Sequence, residues 1–116
     1  MKTTAKHFAA FRQACEQYRQ KLGLTDWEFE YRHSDEHGHC LAAVHRANED
    51  KIATIVLSTE WSDTPVTPAE IREAARHEVL HVLLAELEDL AMSRVNPRER
   101  WAAAEHAVIH RIEKFI

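Results

Sequence analysis

At 116 residues, with 45% hydrophobic and 29% charged side chains, the chain fits one compact domain over residues 1–116 and is too short for a catalytic domain plus a second one. Its net charge of −4 comes from 15 Lys and Arg dispersed among 19 Asp and Glu, so no basic stripe marks a nucleic-acid binder. No apolar run approaches membrane-spanning length, and Met1-Lys2-Thr3-Thr4-Ala5-Lys6-His7 leads into a charged amphipathic stretch rather than a signal peptide; a cytoplasmic protein without membrane contact is expected. Cys15 and Cys40 are expected as reduced thiols.

The first predicted element is a helix from Thr4 to Leu22, where Phe8, Phe11, Cys15, Tyr18 and Leu22 recur at steps of three and four. Gly23 supplies its stop. The period then changes to two: Trp27, Phe29 and Tyr31 alternate with Glu28, Glu30 and Arg32, which predicts a half-buried strand. Two further strands are expected over Cys40–Arg46 and Lys51–Ser58, joined by a turn at Ala47-Asn48-Glu49-Asp50, giving a three-stranded antiparallel meander. Residues 60–66 read as a loop.

Thr67-Pro68-Ala69-Glu70 carries a helix start, with Thr67 as cap, Pro68 at the first helical position and Glu70 placed to complete a capping box. The spacing predicts one long helix from there to Ala91. Ile71, Ala74, Ala75, Val79, Leu80, Val82, Leu83, Leu84 and Leu87 cover nearly its whole circumference, so it is expected to lie buried between layers. After a loop through Asn96 and Pro97, a last helix spans Arg98 to Phe115. The fold class expected is α+β, a small antiparallel sheet packed with an N-terminal, a central and a C-terminal helix.

The central helix carries His77-Glu78-Val79-Leu80-His81. Histidines four apart lie one turn apart on one face, so both imidazoles can reach a zinc ion at about 2 Å. Glu78 is offset by about 100° from His77, unsuited to be a ligand but able to meet a water on the metal as general base. Zinc lowers the pKa of such a water toward about 7, and the oxygen can then attack a carbonyl polarised by the metal. The metal-free alternative is a pair of hydrogen-bonded core histidines with Glu78 in a local salt bridge. It leaves several polar groups to satisfy in an apolar helix.

A catalytic zinc usually has three protein ligands and a water. Leu84 and Leu87 stand where a metzincin has its Gly and third His, which excludes that class. Glu86 and Glu88 are carried away along the same helix and read as surface charges. On the last helix, with Trp101 set at zero, the apolar face of Trp101, Val108, Ile112 and Phe115 centres near about 20°, and Glu105 falls inside it at about 40°. His106 and His110 fall at about 140° and 180°, on the solvated side. A carboxylate within a core-facing stripe needs a partner: either a zinc ion on the facing helix or a buried salt bridge to an Arg such as Arg72 or Arg76.

His77-Glu78-Val79-Leu80-His81 on one helix with Glu105 on the next resembles the gluzincin branch of the zincin metallopeptidases, and the small size is similar to the minimal gluzincins. The resemblance spans nearly the whole chain. It implies a zincin-like fold, one Zn2+ per chain held by His77, His81 and Glu105, Glu78 as the catalytic base, and peptide-bond hydrolysis on a peptide or protein substrate, with an inhibitory or regulatory protein as a further partner. The usual gluzincin second motif has Asn before its Glu and an Asp soon after, whereas Ala104 and Val108-Ile109 stand near those places here. The group that would orient each histidine ligand is therefore unassigned.

Two other readings remain open on the same residues. One is an SprT-like or ImmA/IrrE-like intracellular peptidase, in which His106 or His110 replaces Glu105. The other is a zinc-binding regulatory or interaction module without turnover, against which Glu78 counts, since a structural site would use a fourth protein ligand. Tyr31, His45 and His106 are candidates to steady an oxyanion. His37-Gly38-His39-Cys40 reads as a polar turn between strands, with a weaker second metal site as its alternative.

Overall fold

The computed structural model describes residues 1–35, 40–92 and 98–115. In chain order these form α1 (Ala5–Lys21), β1 (Glu28–Ser34), β2 (Ala42–Ala47), β3 (Ile52–Ser58), α2 (Pro68–Leu83), α3 (Ala85–Met92) and α4 (Arg98–Phe115), an α+β arrangement. The segments His37-Gly38-His39 and Asn96-Pro97, read above as turn and loop, lie outside the described residues.

Local chemistry sets the helix ends. Thr4 caps α1 in a reciprocal box with His7: the His7 amide donates to Thr4 Oγ1 at 3.3 Å and the Thr4 amide donates to His7 Nδ1 at 3.0 Å. Gly23 ends the helix at φ +66°, a left-handed conformation that a Cβ disfavours, while Leu24 N–H reaches back to the Arg19 carbonyl at 3.0 Å. Thr67 caps α2 by accepting from the Glu70 amide at 3.2 Å, with Pro68 behind it as expected.

The sheet departs from the expected meander. Its order is β1-β3-β2: β3 pairs parallel with β1 (Tyr31 opposite Ile55) and antiparallel with β2 (Val44 opposite Ile55). The reason is legible in burial. Ala53, Ile55, Val56, Leu57 and Ser58 of β3 are buried whichever face they point to, which is the signature of a central strand, whereas β1 and β2 alternate between covered and open. The β2–β3 hairpin forms where predicted, closed by Lys51 at φ +54°. A parallel β1–β3 pair requires the chain to leave β1 and return through β2 from the opposite edge.

One face of the sheet carries Phe29 and Tyr31, Ala53, Ile55 and Leu57, Ala42 and Val44, and packs with α1 and α2 around Phe11, Cys15, Leu24, Trp27, Trp61 and Val79. Trp61 is fully buried and its indole N–H donates to the Leu41 carbonyl at 3.1 Å. That bond ties the loop before α2 to the start of β2.

The long central helix is two helices. Leu84, at φ −91° and ψ 3°, separates α2 from α3. Side chains of the hairpin take carbonyls at this break: Arg46 Nη1 donates to the His81 carbonyl at 2.8 Å and Asn48 Nδ2 to that of Ala85 at 3.3 Å. Nor is the circumference of α2 wholly covered. Ile71, Ala75, Glu78, Val79, Val82 and Leu83 face the core, while Leu80 and Leu84 stay 39% and 45% exposed. Ile55→Ala is expected to cost about 2–5 kcal/mol in a denaturant titration, since Ile55 sits at the crossing of all three strands with no room to relax.

Both cysteines are free, Cys15 buried and Cys40 exposed, and burial pushes the Cys15 thiol far above its ordinary range, with Glu16 and Glu78 adding to the rise. A thiol reagent should therefore titrate one group quickly in the native protein and the second only on unfolding. Cys40→Ser should remove the fast reaction.

Candidate metal centre

α2 sorts its five motif residues by face. With Ile71 as reference the core-facing residues centre near about 20°, and Glu78, at about 340°, falls among them. His77 and His81, at about 240° and 280°, point out of the core. Glu78 is accordingly 6% exposed although ionisable, while both histidines are exposed.

The two imidazoles are already paired in space. Their Nε2 atoms are 3.3 Å apart, with ring centroids 4.9 Å apart and planes at 78°. Two Zn–N bonds of about 2.0–2.1 Å meeting at the tetrahedral angle place their nitrogens about 3.3 Å apart. The Nε2 separation of the His pair thus matches two corners of a zinc tetrahedron. The same separation lets one ring donate to the other when no metal intervenes.

Two clefts meet at the motif. One, of about 360 Å3, runs along the first half of α2 past Leu41, Glu70 and Ala74 to His77 and Glu78. The other, of about 450 Å3, lies between β2 and the end of α2, and takes in His77, Glu78, His81, Arg46, Glu88 and Cys40. Burial pushes the Glu78 carboxyl above its ordinary value, against the opposing pull of His77 and His81. A carboxylate destabilised in this way is a better proton acceptor than one in water.

Arg46 and Glu88 belong to this site and sequence reasoning missed both. Arg46 Nη2 donates to Glu88 Oε2 at 2.5 Å while its other nitrogen holds the His81 carbonyl, and this bond keeps the Glu88 carboxyl below the usual range. The available signal was period two: Ala42, Val44 and Arg46 share a strand face, so Arg46 points where Val44 points, toward the helices. Glu88 is a surface charge as expected, its side chain 53% exposed, but the break at Leu84 leaves it lining the same cleft as His77 and His81 rather than carried away from them.

Glu105 is not where the wheel placed it. The buried positions of α4 are Ala104 and Val108, flanked by half-buried Arg111; Val108 belongs to the expected stripe, but the covered face centres about 60° away from Trp101 and Ile112. Trp101, Ile109 and Ile112 are exposed, and so is Glu105. The cause is ionic as well as apolar: Arg111 reaches Asp26, in the segment between α1 and β1, at 3.4 Å and Glu86 of α3 at 4.0 Å, and Arg100 reaches Asp89 of α3 at 4.0 Å, so that face of α4 is held against both. Among the described residues no group of three or more His, Cys, Asp or Glu converges as a metal cage.

The candidate electrophiles are likewise set apart. Tyr31 lies on β1, where its hydroxyl donates to Glu16 and Arg12 stacks over its ring at 5.3 Å; burial, then that bond, raises its pKa. His45 sits opposite Thr54, on the sheet face turned from Val44 and Arg46. His106 Nδ1 lies 2.8 Å from the Ala102 carbonyl on exposed α4. Of the other histidines, His33 is structural, 2.7 Å from Thr3 Oγ1 and stacked on Phe8 at 5.1 Å.

Compared with protein-family models, curated proteins and solved structures, the chain matches none.

The raised Glu78 pKa has a definite sign for stability. The folded, metal-free state binds this proton more tightly than the unfolded chain, so ionisation of Glu78 subtracts stability as pH rises from the ordinary carboxylate range through the folded value. Glu78→Gln should therefore stabilise the metal-free protein at neutral pH and lose that advantage at pH about 4 and below. Denaturation midpoints with chelator at several pH values would test it; a constant difference would overturn the assignment.

Proposed function

We propose that the chain is a cytoplasmic zinc-dependent peptidase of zincin type, with His77 and His81 as metal ligands, Glu105 as the third and Glu78 as general base. The observation that carries this reading is the 3.3 Å separation of the two Nε2 atoms beside a buried carboxylate that lines both clefts. Bound there, zinc would polarise the scissile carbonyl and acidify a water molecule.

The chain's own residues supply the rest. Glu78 accepts the proton from water as its oxygen bonds to the carbonyl carbon, and returns that proton to the amine as the C–N bond breaks. Its burial keeps the carboxylate poorly solvated and basic, and its place on α2 fixes it one residue from a ligand. β2 is an edge strand that contributes Ala42, Ala43 and Val44 to the cleft wall, so an extended peptide can be held by backbone hydrogen bonds along it. Arg46 lines the same cleft. Free Cys15 and Cys40 suit a reducing compartment.

Elemental analysis and a peptide-library assay, run together, test this reading. Wild type should carry about one zinc per chain; Glu78→Gln should keep it while hydrolysis falls about 100- to 10,000-fold; His77→Ala should lose both. Hydrolysis surviving Glu78→Gln would refute the base. Zinc without hydrolysis in wild type would instead make the chain a zinc-binding module.

A further inference from the structure

The two clefts at the motif share Ala42, His77 and Glu78 and differ in every other described residue that lines them. A bond placed at the histidines therefore has one flank in each cleft. The cleft beside the end of α2 holds a cation, Arg46, already bonded to Glu88 and to the His81 carbonyl. The cleft along the first half of α2, of about 360 Å3, has Glu70 and Glu73 in its wall and no lysine or arginine among its described lining residues. In a chain of net charge −4, one side of the candidate site is thus an acid-rimmed groove.

Helix geometry sets the spacing in that groove. Glu70, Glu73, Ala74 and His77 stand at steps of three and four on one face of α2. Glu73 lies one turn, about 6 Å, and Glu70 two turns, about 10.5 Å, before His77. Between the carboxylates and the histidine the wall is apolar, since Leu41, Ala42 and Ala74 are half-buried, pack on the core and line the groove. A long side chain with a charged end fits such a wall, its methylenes on the apolar part and its head among the carboxylates.

The carboxylates are available to it. The Glu70 side chain has no hydrogen bond or ion pair among the described residues. Glu73 pairs with Arg76 at 3.4 Å, but the two side chains are 64% and 52% exposed, and Arg76 stands about 60° round the helix, outside the groove. A pair of that kind contributes little and exchanges readily for another cation. Glu78 is of another sort: it is 6% exposed, lines the groove and has no hydrogen-bond partner among the described residues. A buried carboxyl group that its own chain leaves unpartnered, at the inner end of a groove, points to a ligand in that groove.

We propose that this groove is a subsite for a lysine or arginine side chain, which makes peptides with a basic residue beside the scissile bond the substrate class of the site. The inference deepens the zinc-peptidase reading and rests on it for the position of the scissile bond. An extended peptide along β2 passes Ala42, where the clefts meet, and advances about 3.3 Å per residue. The first or second residue from the scissile bond is therefore the one whose side chain reaches Glu73 and Glu70.

Arginine and citrulline differ in charge and hardly in shape, so a matched pair of fluorescent peptides isolates the effect of the carboxylates. With chelator present, wild type should bind the arginine peptide about 10-fold more tightly by fluorescence anisotropy, and the preference should shrink as salt is raised. With zinc, kcat/KM for hydrolysis should favour arginine by a similar factor. Glu70→Gln/Glu73→Gln should bring both ratios to within about twofold of one, with circular dichroism and zinc content as in wild type. Glu73→Gln alone, at an exposed position, should lower them about threefold. Equal binding and equal hydrolysis of the two peptides, or a preference that survives in the double variant, would overturn the subsite while leaving zinc and hydrolysis intact. Preferential binding of the arginine peptide without hydrolysis of either would uphold the groove and remove the peptidase reading instead.

Discussion

The constraint on which the rest depends is that α2 must serve as a core helix and a site helix within sixteen residues. Ile71, Ala75, Val79 and Val82 bury one stripe against α1 and the sheet, and Glu78 falls in that stripe because helical geometry leaves it nowhere else. Its carboxylate is the one ionisable group among the buried described side chains of the helix. The stripe supplies the anchoring, and the offset of about 100° per residue separates Glu78 from neighbouring His77. Sliding the buried pattern one position toward the N-terminus would bury both histidines along with Glu78, and sliding it one position the other way would expose Glu78.

Much of this was readable beforehand, and for identifiable reasons. Caps and stops are short-range chemistry: Gly23, Thr67 and Pro68 act on neighbours within four residues, so their roles transfer directly from sequence to structure. The same holds for the His77–His81 pair, whose proximity is a property of one helical turn. Sheet order is different. It depends on which strand can afford burial on both faces, and β3 declares this by carrying apolar residues at consecutive positions, a signal that an assumed hairpin series overrode.

The two remaining departures share a cause. Apolar side chains around a full circumference suggested a straight buried helix, yet the chain breaks at Leu84 and leaves Leu80 open. The same pattern on α4 suggested a face through Trp101, Val108 and Ile112, whereas Val108 is covered together with Ala104 and the other two stay exposed. A wheel ranks faces by hydrophobicity and cannot weigh small residues that permit close approach, or the ion pairs of Arg111 and Arg100 that choose between two apolar sides. Where a helix offers two such faces, sequence identifies both and tertiary contacts select one.

Arg46 shows how a residue outside the motif can govern it. From an edge strand it binds the last turn of α2 through the His81 carbonyl and the first turns of α3 through Glu88, so it fixes the angle at which the chain leaves the motif. A neutral side chain there would free the Glu88 carboxylate beside two histidines, in a cleft where an unpaired anion is itself a metal ligand. The guanidinium therefore does two things at once. It secures the break that shapes the cleft, and it holds the Glu88 carboxylate that lines the cleft with the two histidines.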